Sequence, residues 1–380
     1  MKKVCVIATS RATYGYKRKI IQLIKKEKSL KLQVIVTGMH LMKKYGYSVN
    51  ELKKDKVPIN EQIKIFSNID SNTHFVKGLS KEMLKLSNSF SKLKPDLVLV
   101  TGDRAEMFIA AVTAVYMNIP VAHIQAGDLS GHIDGSVRHA ITKIAHIHFA
   151  SCKDSADRVK KMGEQNWRIF DVGAPQIDDL IDIKDQIKTN KNIQNLLNQD
   201  YFLIIQHPVL VEKEETYKNF KNTLIASEKF KKYKKVIIYP NVDSGNKKII
   251  QLIKKYKAKK DFIVFKNIER ENFKKILKNS KLILGNSSCG ILEAPTFKIP
   301  AINIGNRQRD RMQAKNVINS DYKIKNIEKA LSYALYNKTF KLKISNCKNP
   351  YGNGKSSEKI IKLIKKIQIN KNLLDKRMIY

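Results

Sequence analysis

The amino-acid sequence predicts an α/β protein built from two doubly wound domains with parallel sheets. Three observations lead there: a length of 380 residues, short apolar runs alternating with longer amphipathic segments, and the recurrence of that alternation in two successive series. At roughly 100–200 residues per domain, the length accommodates two buried cores.

The first series places strands at 4–8, 33–37, 97–101, 121–124 and 146–150. The second places them at 202–206, 236–239, 262–265, 282–284 and 301–304. Helical spacing occupies 16–26, 106–117, 134–144 and 287–296. The Lys- and Asn-rich stretch 184–198 is weakly patterned and is expected to carry the chain between domains. A last amphipathic helix is expected over 356–369, where Ile360, Ile361, Leu363, Ile364 and Ile367 repeat at helical intervals. The expected domains are 1–183 and 184–355, followed by the helix-bearing segment 356–380.

Composition narrows the function classes. With 42% hydrophobic residues and only 16 Gly and 9 Pro, the chain is neither collagen-like nor wholly disordered. No apolar run approaches the roughly 20 residues needed to span a bilayer, so no membrane association is expected. The start, Met1-Lys2-Lys3 before a short apolar run, reads as a buried strand rather than a signal peptide. Cys5, Cys152, Cys289 and Cys347 are scattered without metal-ligand spacing, which fits a cytoplasmic location.

The 73 Lys+Arg against 34 Asp+Glu give a formal charge of +39. That excess would suit nucleic acid if it were concentrated. Pairs such as Lys25-Lys26, Lys231-Lys232 and Lys365-Lys366 instead recur along the chain, as on a solvated surface. No nucleic-acid partner is expected.

In open α/β sheets ligands lie beyond the carboxyl ends of the strands. The polar clusters follow predicted strands at 9–15, 102–104, 125–138, 207, 241–245 and 285–293, so a site in the cleft between the domains is expected. Gly285-Asn286-Ser287-Ser288 leads from a strand into a predicted helix, where free N–H groups favour an anion such as a diphosphate. Ser287 and Ser288 add hydroxyl donors and Glu293 could accept from ribose hydroxyls; ordinary helix capping is the alternative. His207 ends a strand of the second domain and could offer a cationic contact to a departing diphosphate. Gly352-Asn353-Gly354-Lys355-Ser356 looks like the end of a phosphate loop, but Pro350 and the lack of a preceding strand argue against it.

Carboxylates concentrate between 100 and 143. Asp103 follows a strand through Gly102. Asp134 and Arg138 are four apart and would share a helix face, where they could simply pair. For Glu106 and Arg104 a surface charge or ion pair is expected, and His146 and His148 read as packed rather than as metal ligands.

Together these segments resemble the UDP-N-acetylglucosamine 2-epimerases, in particular the hydrolysing branch that makes N-acetylmannosamine for sialic-acid-type sugars. The resemblance rests on Ser10-Arg11-Ala12-Thr13-Tyr14-Gly15, Thr37-Gly38-Met39-His40, Gly102-Asp103-Arg104, Ile133-Asp134 with Arg138-His139-Ala140-Ile141-Thr142-Lys143, Gln206-His207-Pro208 and Asn303-Ile304-Gly305-Asn306-Arg307. It implies two Rossmann-like domains in a glycosyltransferase-B arrangement, the final helix returning to the first domain. It would set the nucleotide diphosphate against Arg11, His207, Asn241, Ser287, Ser288, Glu293 and Arg307, and the sugar chemistry at Asp103 and Asp134.

The implied reaction is elimination of the diphosphate to a 2-acetamidoglucal, then addition of water. It needs an acid and a base but no cofactor, hydride carrier or obligatory metal. The resemblance also implies a homodimer or homotetramer. The chain departs from the family pattern at Gln125, where a glutamate is usual; an amide cannot exchange a proton at neutral pH. Proton transfer then falls to Asp103 and Asp134, with Asp128 a further candidate and Gln125 orienting sugar or water. The competing expectations are a non-hydrolysing 2-epimerase and an inactive nucleotide-sugar-binding protein.

Overall fold

Among the described residues, seven parallel strands form the first sheet: β1 (Lys2–Ala8), β2 (Leu30–Thr37), β3 (Glu61–Ile63), β4 (Leu97–Thr101), β5 (Val121–Ala126), β6 (Ile147–Ala150) and β7 (Ile169–Asp171). Their order is β3-β2-β1-β4-β5-β6-β7. Six more make the second, also parallel: β8 (Tyr201–Ile205), β9 (Lys234–Ile238), β10 (Phe262–Phe265), β11 (Ile283–Gly285), β12 (Ala301–Ile304) and β13 (Val317–Ser320), in the order β10-β9-β8-β11-β12-β13. This computed structural model describes residues 1–43, 46–66, 71–129, 132–181, 191–209, 212, 214–240 and 245–379. The chain forms two units, Met1–Asp179 with Tyr351–Tyr380, and Leu180–Pro350.

Alternation of side chains along β1 explains the layering of the first unit. Val4, Val6 and Ala8 join a core with Ile20, Ile21 and Ile24 of the helix Arg11–Lys26. Cys5 and Ile7 face the other way, into a core with Met107, Ala110 and Ala114 of the helix Ala105–Tyr116. A parallel strand buried on both faces reads as a continuous apolar run for this reason. The helix Ser356–Lys366 adds Ile360, Ile361 and Ile364 to the core beside β1. In each sheet the first strand has neighbours reached by opposite crossovers, β2 and β4 beside β1 and β9 and β11 beside β8. In open α/β sheets such a reversal is where ligands bind, beyond the carboxyl ends of the strands.

Several elements differ from the sequence expectation. β3, β7 and β13 were not expected; all three lie at or near sheet edges and include part-exposed residues. The predicted helix 287–296 is broken into a short turn Cys289–Leu292 and a 3-10 turn Ala294–Phe297. Pro295, with no N–H to donate, prevents one continuous helix. Within the predicted crossing 184–198, residues 184–190 lie outside the described set and Lys191–Leu197 forms a helix with Ile193 and Leu196 buried. The glycine-rich segment before Ser356 is no phosphate loop. The N–H groups of Ser356 and Ser357 donate to the buried Asp178 carboxylate, which caps that helix.

Candidate active site

In the first unit the site grows from the ends of β4 and β5. After Thr101 the backbone turns through Gly102 at φ 79°, a left-handed conformation suited to glycine, and presents Asp103. The turn is held from below by the fully buried His123 on β5, whose Nε2 lies 2.8 Å from the Gly102 carbonyl. Burial pushes His123 down to about 3. The ring is therefore neutral and spends its single N–H on that carbonyl. Its Nδ1 lies 3.2 Å from Thr142 Oγ1 on the helix His132–Ile144.

That helix carries two of the charged groups. Asp134 sits exposed in its first turn, and Arg138, one turn on, is buried. The Arg138 guanidinium donates to the Asp103 carboxylate and, at 2.9 Å, to the backbone carbonyl of Gln125. One buried cation thus ties the end of β4 to the end of β5. Arg104 lies within electrostatic reach of both Asp134 and Asp103, although its strongest partner is Glu106, 3.2 Å away. Of the two expectations for Glu106 and Arg104, a surface charge or an ion pair, the structure shows the ion pair, with Glu106 fully buried.

Gln125 is buried and has φ 64°, where β5 slips register against β6 between Ile124 and Ala126. The bulge turns its side chain over Gly102: a Cβ placed on that glycine would lie 3.5 Å from Gln125 Oε1. Asp128, three residues on, is also buried. Its Oδ1 accepts hydrogen bonds from Ser151 and, at 2.7 Å, Ser155, which fastens the loop after β5 to the end of β6 and the helix Lys153–Lys161. His148 is packed within β6, its Nε2 3.0 Å from Glu164.

In the second unit β8 and β11 end side by side. The Asn286 side chain accepts from the His207 N–H at 2.7 Å and donates to the His207 carbonyl at 2.9 Å. The two strand ends are thereby locked together. Gly285 permits this approach: at φ 130°, an added Cβ would lie 2.2 Å from the Ile205 carbonyl. The Asn286 carbonyl accepts from Arg307 at 3.2 Å and Gln308 at 3.0 Å, bringing the loop after β12 to the same point. Ser287 and Ser288 follow, both half-buried. Glu293 is buried and takes a hydrogen bond from Arg270 at 3.0 Å.

Burial, reinforced by the charge of Arg307, pushes His207 down to about 3. The expected cationic histidine is therefore neutral in the free protein, and the cation beside it is Arg307. Arg11 begins the helix Arg11–Lys26, and Asn241 lies outside the described residues. Sequence reasoning named neither Asn286 as a clamp nor His123, Arg138 and Gln308 as site residues. Their signal was present only in part, as polar side chains immediately beyond or within apolar runs.

Comparison with known proteins agrees with this architecture. Residues 22–365 match the family model described as UDP-N-acetylglucosamine 2-epimerase. A UDP-N,N'-diacetylbacillosamine 2-epimerase (hydrolyzing) of Legionella pneumophila is 36% identical, over 99% of each chain. A UDP-N-acetylglucosamine 2-epimerase of Neisseria meningitidis is 32% identical over 88% of each. The crystal structure of UDP-GlcNAc 2-epimerase from Neisseria meningitidis bound to UDP-GlcNAc superposes with a TM-score of 0.82 at 21% identity, covering 96% of this chain and 100% of that one. The two parallel sheets have the glycosyltransferase-B type of fold seen in such structures. The chain belongs to the UDP-N-acetylglucosamine 2-epimerase family.

Proposed function

We propose that this protein is a hydrolysing 2-epimerase of a UDP-linked 2-acetamido sugar, releasing UDP and the free 2-epimeric sugar. The observation that carries this reading is the Asp103–Arg138–Gln125 arrangement, with Asp134 on the same helix as Arg138. It supplies one carboxylate just beyond β4 and a second in the first turn of the helix that carries Arg138, in a family defined by 2-epimerisation. The hydrolysing subtype is supported by the Legionella relative, matched over 99% of its length.

In this mechanism one of Asp103 and Asp134 removes the C2 proton while the C1–O bond to the diphosphate breaks, leaving a 2-acetamidoglucal. Water then adds at C1, releasing a proton to solvent, while the other carboxyl group, protonated at the outset, gives its proton to C2 from the opposite face. Gln125 orients the sugar or the water, and Asp128 holds the loop. The leaving diphosphate is received by Ser287, Ser288 and Arg307, with Arg11 and Asn241 further candidates by family resemblance. Hydrogen bonds and a fixed cation there stabilise charge as it develops. His207, just beyond β8 and beside Arg307, is a further candidate contact for the diphosphate by family resemblance.

For the sugar, two substrates are read: UDP-N,N'-diacetylbacillosamine, which the name of the Legionella relative favours, and UDP-N-acetylglucosamine, which the Neisseria name favours. The free, mostly buried cysteines support a cytoplasmic setting. The test is NMR of the purified protein with each nucleotide sugar in deuterated water. UDP and free 2-epimeric sugar should form in equal amounts, with deuterium at C2. Accumulation of an epimerised UDP sugar without free UDP would identify a non-hydrolysing enzyme. No exchange and no product with either sugar would leave a binding protein.

A further inference from the structure

The helix that carries Asp134 and Arg138 is gripped at its far end by residues distant in sequence. Lys376 Nζ donates to the carbonyl oxygens of Thr142, Lys143 and Ala145, the one at Ala145 at 2.9 Å. A cation among the last carbonyls of a helix satisfies acceptors that have no partner within the helix and opposes the negative end of its dipole. The same ammonium lies 2.8 Å from Glu164 Oε2, and Glu164 is fully buried against His148. The cap is therefore fixed from two sides.

The segment bearing Lys376 is itself tied down. Arg168 is fully buried, and it donates to the carbonyls of Leu373 at 2.8 Å, Asn372 at 3.0 Å and Asp375 at 3.1 Å. Leu373 is buried in the core beside β1, and the Ile379 N–H donates to the Gly163 carbonyl at 2.9 Å. So Lys376 has no freedom to follow the helix if the helix moves.

We propose that Lys376 is a positioning residue for the reaction: by capping the helix His132–Ile144 it fixes that helix along its axis, and with it Asp134 and the Arg138–Asp103 pair. The inference rests on the proposed function in assigning chemistry to Asp103 and Asp134. Its physical basis is that a helix is stiff along its axis, whereas proton transfer tolerates misplacement of only about 1 Å before the rate falls by about 100-fold.

The experiment is Lys376→Met, which keeps the apolar stem and removes the donors, with Lys376→Arg as the conservative partner. Lys376→Met should lower kcat about tenfold or more while KM and the affinity for UDP stay near native, and Lys376→Arg should restore much of kcat. Amide hydrogen exchange should quicken along 134–140, the end of the helix away from the cap. Native kcat, or exchange that quickens only at 141–145, overturns the proposal, because the cap then acts locally. If Lys376→Met does not fold, Lys376→Gln is read by the same two measurements. A native protein inactive on every UDP sugar defeats the functional reading alone; exchange at 134–140 then decides the brace, native rates there overturning it.

Discussion

Gln125 sits where the backbone is least comfortable and the chemistry most concentrated. A non-glycine residue at φ 64° costs on the order of 1 kcal/mol. Arg138, bonded to the Gln125 carbonyl and to Asp103 at once, offsets that cost and couples the bulge to the carboxylate. No spacing rule could reveal this, because the positive φ follows from a register slip against β6 that depends on a neighbouring strand. Asp103 was legible for a simpler reason: a carboxylate placed by a glycine after an apolar run lies at the end of a strand, although Asp103 is half-buried there against Arg138. Asp103→Asn and Asp134→Asn keep size but lose proton exchange, so each should reduce turnover about 100-fold or more with little change in UDP affinity. In Gln125→Glu a second anion enters a buried position beside the Asp103 turn and competes for Arg138, and turnover should fall. Steady-state rates on the substrate identified by NMR check all three. Near-native rates for either aspartate variant remove that residue from proton transfer, and a gain of activity by Gln125→Glu over an inactive native protein returns the chain to the binding class.

Among elements, the central strands and the apolar edge strand β10 were legible, whereas the edge strands β3, β7 and β13 were not. β1, β4 and β8 are buried along most or all of their length, so they stand out as unbroken apolar runs. β3 and β7 are three residues each with polar or exposed positions, and nothing local distinguishes them from loops. The helix Asn72–Leu93 escaped notice because its Lys, Ser and Asn residues leave most of it in solvent, with burial confined to positions such as Leu86 and Phe90. The same contrast runs through the nucleotide half of the site. The strand–turn was visible at Gly285-Asn286, whereas the use of Asn286 to clasp the His207 backbone requires β8 and β11 to be neighbours, a fact of topology. Asn286→Ala deletes both of those hydrogen bonds and leaves a part-buried N–H and carbonyl unsatisfied. The second unit should lose about 2 kcal/mol, and UDP should bind more weakly because His207, Ser287 and Arg307 lose their common reference point. Calorimetric titration with UDP, paired with urea unfolding, measures both; unchanged affinity would take the clasp out of the nucleotide site.

At the scale of the molecule, a chain of charge +39 depends on where its few buried ionisable groups keep their protons. In the first unit, burial pushes His40 and His123 down to about 3 and His146 to about 4. Each is neutral in the fold but protonated in the unfolded chain below about 6.5, so their stabilisation is present above that pH and is lost as pH falls. The fully buried Lys17 behaves alike at higher pH. Its Nζ donates to the Ile7 carbonyl at 2.5 Å, and burial brings it to about 7, so stability should rise with pH between 7 and its unfolded value. Glu82 acts in the opposite sense: burial first, then the Glu106 charge, raises it to about 9, and its contribution fades as pH climbs toward that value. Burial lowers His139 and His148 as well, so from pH 6.5 to 5 the histidines outweigh Glu82 and the unit should weaken. Between pH 7 and 8.5 Lys17 and Glu82 nearly cancel, giving a plateau. The chain has one tryptophan, Trp167, which lies in this unit and reports on it by fluorescence during urea unfolding. In Glu82→Gln the opposing proton is gone, and the plateau should tilt upward by about 1.4 kcal/mol per pH unit, the linkage slope for one proton. A plateau that stays flat in that variant would mean that Lys17 remains charged within the core.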